Sequence, residues 1–180
     1  MKLLAISGSL RAVSSNTNVL LALQKLATPD IEIEIYDGVG ALPHFNPDLD
    51  GDEPPDVVRA LRHRIGECDG LIICSPEYAH GIAGAMKNLL DWLVSSLEFP
   101  EKPVALINTA QRAVHAQAQI REVLTTMSAR LIDDASITVP LSGRSLDADS
   151  LVRDPELSAP LASALKAFTS AISATSGLST

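Results

Sequence analysis

The stretch Ser75-Pro76-Glu77-Tyr78-Ala79-His80-Gly81 follows the apolar run Leu71-Ile72-Ile73-Cys74 and leads into Ile82-Ala83-Gly84-Ala85-Met86-Lys87-Asn88-Leu89-Leu90-Asp91-Trp92-Leu93. Four consecutive apolar residues read as a strand buried on both faces. Ile82, Met86, Leu89, Leu90, Leu93 and Leu97 recur at helical spacing, which predicts a helix over 82–97. Strand, polar turn and helix in this order form the unit from which α/β sheets are built.

The same unit recurs on either side. Leu3 to Ile6 and Val104 to Ile107 are further all-apolar runs, suited to central strands. Ile31, Ile33 and Ile35 alternate with Glu32 and Glu34, as an edge strand does. Val19, Leu20, Leu23 and Leu26 carry helical spacing between the first two strands. A fifth strand is expected between Leu131 and Val139, and a last helix from about Pro155 to Ile172. Parallel strands need helix-sized crossovers, so the alternation predicts an α/β fold, a parallel sheet with helices on both faces. Residues 38–55 and 141–149 read as surface loops. No linker divides residues 1–180, which are expected to form a single domain.

Composition narrows the function. The chain has 180 residues, 46% hydrophobic and 20% charged, the balance of a packed globule. Its 14 Lys+Arg against 22 Asp+Glu give a net charge of −8, the wrong sign for neutralising nucleic-acid phosphates or an anionic membrane. Aromatics at 3% are too few for base-stacking platforms. No apolar run reaches the roughly 18 residues of a membrane-spanning helix, and the N-terminus turns polar too early for a signal peptide, so a cytoplasmic protein is expected. An extended 70–74 segment would carry Cys74 beyond the ~7 Å Cα limit for a disulfide with Cys68, so both are read as reduced, buried thiols.

In open parallel sheets, ligands bind outside the carboxyl ends of the strands. Gly8-Ser9-Leu10-Arg11-Ala12-Val13-Ser14-Ser15-Asn16 follows the first strand and enters a helix. Helix-start N–H groups, hydroxyls and a guanidinium suit a phosphate, and the same residues also suit a turn capped by Ser14, Ser15 or Asn16. The Rossmann glycine fingerprint and the P-loop lysine are both absent. Pro76 sets a turn that holds Glu77 and Tyr78 over the sheet edge, where a flat ligand has room; a solvated proline turn is the plainer alternative. Asn88, Asp91 and Trp92 are read as packing and interface residues, and His80 as a surface histidine. Asn108-Thr109-Ala110-Gln111-Arg112 follows the fourth strand and alone reads as a capping loop. Its importance comes from position, since three polar loops after neighbouring strands converge on one crevice.

Gly8-Ser9-Leu10-Arg11 with Ser14, Ser15 and Asn16, and SPEYAHGIAGAMKNLLDWL over 75–93, resemble the NADPH-dependent FMN reductase family of flavodoxin-like proteins, which includes quinone, azo-dye and chromate reductases. The likeness in element order extends over nearly the whole chain. It implies a three-layer sandwich whose five-stranded parallel sheet has the order 2-1-3-4-5, with FMN and NADPH as cofactors. It also implies hydride transfer from NADPH through FMN to a small acceptor such as a quinone, free flavin, azo dye or chromate. By this resemblance Ser9, Arg11, Ser15 and Asn16 hold the FMN phosphate, and Pro76, Glu77 and Tyr78 border the ribityl chain and ring. The family's third loop is rich in serine and glycine; here Asn108, Thr109, Ala110 and Gln111 stand in it, with Asn108, Thr109 and Gln111 carried over as ring contacts. Ala79 replaces the family's asparagine.

The flavin carries the chemistry, so no side chain is assigned as catalytic and no metal is implied. The loop backbone near Gln111 and Arg112, if it reaches the flavin ring, is expected to tune the reduced anion, and Arg112 or Arg144 is a candidate for a 2′-phosphate. A homodimer or homotetramer through helix 82–97 is expected, with Trp92 adding surface. FMN has about thirty non-hydrogen atoms, and at about 0.3 kcal/mol each its affinity would be around 9 kcal/mol. Distant net charge is screened beyond ~8 Å, so the local donors decide. A flavodoxin-like electron carrier is the competing reading, although such carriers have a threonine-rich phosphate loop without arginine. A Cys74 phosphatase would need arginine where His80 stands.

Overall fold

Leu3, Leu4, Ala5 and Ile6 are all buried, as are Leu71 to Cys74 and Val104 to Ile107, and in each run successive side chains enter opposite cores. The computed structural model describes residues 1–141, 144 and 146–176. Its elements in chain order are β1 (Lys2–Ser7), α1 (Ser15–Leu26), β2 (Glu32–Tyr36), α2 (Asp56–Glu67), β3 (Gly70–Cys74), β4 (Glu77–Tyr78), β5 (Gly81–Ile82) and α3 (Gly84–Asp91). There follow β6 (Pro103–Asn108), α4 (Val114–Thr126), β7 (Arg130–Leu131), β8 (Ile137–Thr138), α5 (Ala148–Arg153) and α6 (Pro155–Ser176).

The main sheet runs β2-β1-β3-β6, with β7 and β8 both paired to the outer side of β6, and every pairing is parallel. Counting β7 and β8 as one interrupted fifth strand, this is the expected 2-1-3-4-5 order. On one face, Leu4, Ile6, Leu71, Ile73, Val104 and Leu106 pack against α2, α3 and α4. On the other, Leu3, Ala5, Ile72, Cys74, Ala105 and Ile107 pack against α1, α5 and α6. The strands therefore lack the polar alternation that a half-solvated sheet shows. No helix among the described residues is long and apolar enough to cross a membrane.

Three expectations need correction. The strand placed between Leu131 and Val139 is split by a 3₁₀ turn at Asp133–Ala135. Ser136 covers the break: its hydroxyl accepts from Leu106 N–H at 3.1 Å and donates to the Ile132 carbonyl at 2.9 Å, replacing a backbone ladder bond. The helix expected over 82–97 is shorter. Ile82 lies in the β4–β5 hairpin, and after Asp91 the chain continues in turns in which Ser95 and Ser96 donate to Asp50 and Glu98. The loop expected at 141–149 ends in α5, and Ser142, Gly143 and Ser145 lie outside the described residues.

Loop 38–55 is anchored rather than loose. Asn88 accepts from Phe45 N–H at 2.7 Å and donates to the Pro43 carbonyl at 2.9 Å, to which Trp92 Nε1 also donates at 2.7 Å. Trp92 is wholly buried, with Phe45 edge-on to it, so it adds no outer surface for a subunit interface. Arg62 closes the far end on Asp50 at 2.7 Å, with further bonds to the Trp92 carbonyl and Ser95. Burial raises the Asp50 carboxyl, but hydrogen bonds from Ser95 and Arg62 and the Arg62 charge outweigh it and hold the group below its ordinary value.

A depressed carboxylate stabilises the fold above its unfolded pKa, near 3.9, and this contribution is lost as the pH falls through the folded value. Asp50→Asn should therefore lower unfolding free energy by about 1.5 kcal/mol at pH 7. The gap to the parent should close below about pH 4 in denaturant titrations, and a gap of equal size at pH 7 and pH 3 would contradict this account.

Candidate active site

Three loops leave the carboxyl ends of β1, β3 and β6: loop A (8–14), loop B (75–83, containing the β4–β5 hairpin) and loop C (109–113). Loops A and B touch at Gly8, whose N–H donates to the Cys74 carbonyl at 2.8 Å. A Cβ on Gly8 would lie 2.2 Å from Ser75 Oγ, so only glycine permits this approach.

Loop A is organised by hydroxyls. Ser7 Oγ accepts from Thr17 Oγ1 at 2.9 Å and from Ser9 N–H at 3.3 Å, and Ser9 Oγ accepts from Arg11 N–H at 3.4 Å. Of the three candidate caps, Ser14 fills the position, accepting from Thr17 N–H. The N–H groups of Ser15 and Asn16, in the first turn of α1, have no acceptor among the described residues. Arg11 is exposed, has no carboxylate partner, and lines a cavity of about 360 Å³ with Leu10, Tyr78 and residues 83–85.

Loop B turns through Ala79 and His80 at φ 49° and 58°, the positive values that a two-residue hairpin of type I′ requires. Glu77 reaches across to α4, whose own Ala113 offers no side-chain cap. Its Oε2 accepts from Ala116 N–H at 2.9 Å and its Oε1 lies 3.3 Å from His80 Nδ1. The Ala116 bond is the chief cause holding this carboxyl below its usual range, with the nearby histidines adding to it. Gln119 secures the hairpin by accepting from Ile82 N–H at 3.1 Å and donating to the His80 carbonyl at 3.3 Å. His80 is exposed, its ring edge-on to His115 at 4.6 Å.

Loop C closes on itself. Asn108 donates to the Ala110 carbonyl at 2.8 Å and to Thr138 Oγ1, and accepts from Ala110 N–H at 3.1 Å. Asn16 Oδ1, from the first turn of α1, ties together the ends of β3 and β6, accepting from the Cys74 thiol at 3.2 Å and from Thr109 Oγ1 at 3.3 Å. Burial pushes the Cys74 thiol far above its ordinary value, so it is no nucleophile. A second cavity of about 280 Å³ lies between loops B and C, lined by Ser75, Pro76, Glu77, Asn108, Thr109, Ala110, Arg112 and Ala113.

The structure thus gathers Ser9, Arg11, Ser15 and Asn16 at loop A, and Pro76, Glu77 and Tyr78 beside the two cavities. Asn108 lines the second cavity with its amide already engaged. Gln111 lines neither cavity; Arg112 does in its place. Arg144 lies 3.7 Å from Asp154, so it is already paired. Ser75 went unread in the sequence: its Oγ is the sole buried side-chain polar atom among the described residues without a partner. Its signal was its place, the first residue past a buried strand.

The family model described as NADPH-dependent FMN reductase matches residues 1–142. The 2-hydroxy-1,4-benzoquinone reductase of a Burkholderia species is 32% identical over 155 residues, spanning 83% of this chain and 84% of that protein. The structure of FerB, a flavoenzyme NAD(P)H:(acceptor) oxidoreductase from Paracoccus denitrificans, superposes with a TM-score of 0.78 at 28% identity, over 96% of this chain and 97% of that one. A flavodoxin from Pseudomonas aeruginosa, solved as a cysteine-to-alanine mutant, shares the fold at a TM-score of 0.56 and 15% identity, over 94% and 99% of the two chains.

The contact between loops A and B yields a direct test. Gly8→Ala should cost about 1–3 kcal/mol by overpacking against Ser75, read as a lower Tm in thermal denaturation. Adding Ser75→Gly should recover part of the loss, and an unchanged Tm for Gly8→Ala would show that the loops do not meet as described.

Proposed function

This chain belongs to the NADPH-dependent FMN reductase family, and from that premise we propose that it holds FMN across loops A, B and C and reduces a small quinone with NADPH. The observation that carries the reading is the Ser75 hydroxyl in the lining of the second cavity, buried and without a partner among the described residues, where buried polar groups are almost always satisfied. Beside it stand the exposed Arg11 guanidinium lining the first cavity and, at the start of α1, the Ser15 and Asn16 N–H groups, none with a partner among the described residues.

These groups match FMN by chemistry. Helix-start N–H groups and a free guanidinium suit its phosphate, an unpaired hydroxyl suits its polyol chain, and the cleft between loops B and C suits a flat ring. When bound, FMN supplies the hydride chemistry between NADPH and the acceptor. The chain supplies position. Arg11 and Ser9 hold the phosphate end; Pro76 and Tyr78 flank the ring; Asn16 keeps loops A and C at fixed separation. Glu77, held ionised by the α4 N-terminus, acts as a tether and not as a proton donor.

The rim supports a quinone among the family's acceptors. Leu10, Val13, Tyr78 and Val114 are exposed apolar side chains contributed by loops A and B and the start of α4, a setting that favours a planar, partly apolar molecule over chromate. We place the enzyme in the cytoplasm, in keeping with its two free, buried cysteines. We also propose a homodimer, or a tetramer built from it, formed on the flank after α3, where Val94 and Leu97 are 65% and 91% exposed. Leu97→Asp should then convert dimer to monomer in light scattering; a parent protein that is itself monomeric would overturn this assembly.

Two measurements test the activity. Arg11→Ala should weaken FMN binding by about 10- to 100-fold, since a hydrogen bond to a charged group is worth about 1.5–3 kcal/mol; equal affinities would remove the assignment. NADPH oxidation by the FMN-loaded enzyme should be faster with a benzoquinone than with an azo dye or chromate. Bound FMN that exchanges single electrons with protein partners but supports no turnover with any of these acceptors would favour the electron carrier.

A further inference from the structure

Buried polar side chains in this fold find partners, with one exception among the described residues. Ser7 accepts from Thr17 Oγ1 and the Ser9 N–H, and Ser14 from the Thr17 N–H. Asn16 accepts from Cys74 and Thr109, Ser96 donates to Glu98, and Asn108 is bonded to Ala110 and Thr138. Ser75, 1% exposed, is the exception. A buried hydroxyl left unpaired costs free energy that an apolar side chain of similar shape does not.

The place of this exception narrows what it is for. β3 lies between β1 and β6, the other two strands whose ends carry the site. Ser7 ends β1 and Asn108 ends β6, and each is committed to its own loop or helix. Ser75 directly follows β3, lies against Gly8 of loop A, and lines the cavity between loops B and C. It stands between the loop A donors proposed for the phosphate and the cavity proposed for the ring, where the polyol chain joining those two parts of FMN has to cross. A serine hydroxyl turns about one torsion without moving the backbone, and it both donates and accepts, as the hydroxyls of a polyol do. We infer that Ser75 is a specificity residue for the cofactor, whose hydroxyl takes its partner from the polyol chain of the flavin and has none within the chain itself. The inference rests on the FMN reading above. Recognition is then divided, with Arg11 reading the phosphate, Ser75 the polyol, and the cleft between loops B and C the ring.

The test titrates the protein with FMN, with riboflavin, which lacks the phosphate, and with lumiflavin, which lacks both phosphate and polyol, and reads each Kd from flavin fluorescence. Ser75→Ala should weaken FMN and riboflavin about fivefold, the size of one neutral hydrogen bond, and leave lumiflavin unchanged. Arg11→Ala should weaken FMN alone. Without any flavin, Ser75→Ala should melt at or above the Tm of the parent, since it removes an unpaired buried group, and the same melt shows that the variant is folded. The unmodified protein gives a reading that depends on no variant: it should bind riboflavin at least about fivefold more tightly than lumiflavin. Ser75→Ala that weakens all three flavins equally or none of them, a flavin-free Ser75→Ala that melts below the parent, or a parent with equal affinity for riboflavin and lumiflavin would overturn the role of Ser75 while leaving FMN binding intact. A parent that binds none of the three would overturn the FMN reading itself.

Discussion

The four strands β2, β1, β3 and β6 lie side by side and parallel, and the three inner runs are buried on both faces. Parallel strands all end at the same edge, so each following loop emerges there, and the helices that cover both faces leave that edge as the open side of the sheet. Loops A, B and C are together because β1, β3 and β6 are adjacent. Burial of Leu4, Ile6, Leu71, Ile73, Val104 and Leu106 under one helical layer, and of their alternates under the other, therefore sets where the three loops meet, although none of those residues lines either loop cavity.

Local bonds then convert three neighbouring loops into one rigid surface. Gly8 lets loop A lie on Ser75, Asn16 Oδ1 joins β3 to loop C, and Glu77 and Gln119 bind the loop B hairpin to α4. Once these internal demands are met, the Arg11 guanidinium, the Ser15 and Asn16 N–H groups and Ser75 Oγ are among the groups with no partner among the described residues. The proposed flavin site draws on groups of this kind, which the scaffold leaves unsatisfied.

Much of this was legible in the residues. Uninterrupted apolar runs identify β1, β3 and β6, the Ile–Glu alternation identifies β2, and Gly8, Leu10 and Arg11 of the first loop and Pro76 to Tyr78 of the second line the cavities at the edge where strand order puts them. Other features depend on contacts between distant segments, which periodicity does not record. The break at Asp133–Ala135 relies on Ser136 substituting for a ladder bond to β6. The early end of α3 accompanies Ser95 and Ser96 bonding outside the helix, and Trp92 is buried by Pro43 and Phe45, some fifty residues upstream in the chain. At loop C it is Arg112 and not Gln111 that lines the cavity, and Arg144 lies against Asp154; neither placement is written in local periodicity.

The central claim is that these three loops hold a flavin which NADPH reduces. Its most direct test is the visible absorption spectrum of the purified protein after addition of FMN and desalting, followed by anaerobic addition of NADPH to the same cuvette. The account predicts flavin bands that survive desalting and bleach on mixing with NADPH. A protein that emerges colourless, or whose retained bands NADPH leaves unchanged, would contradict it.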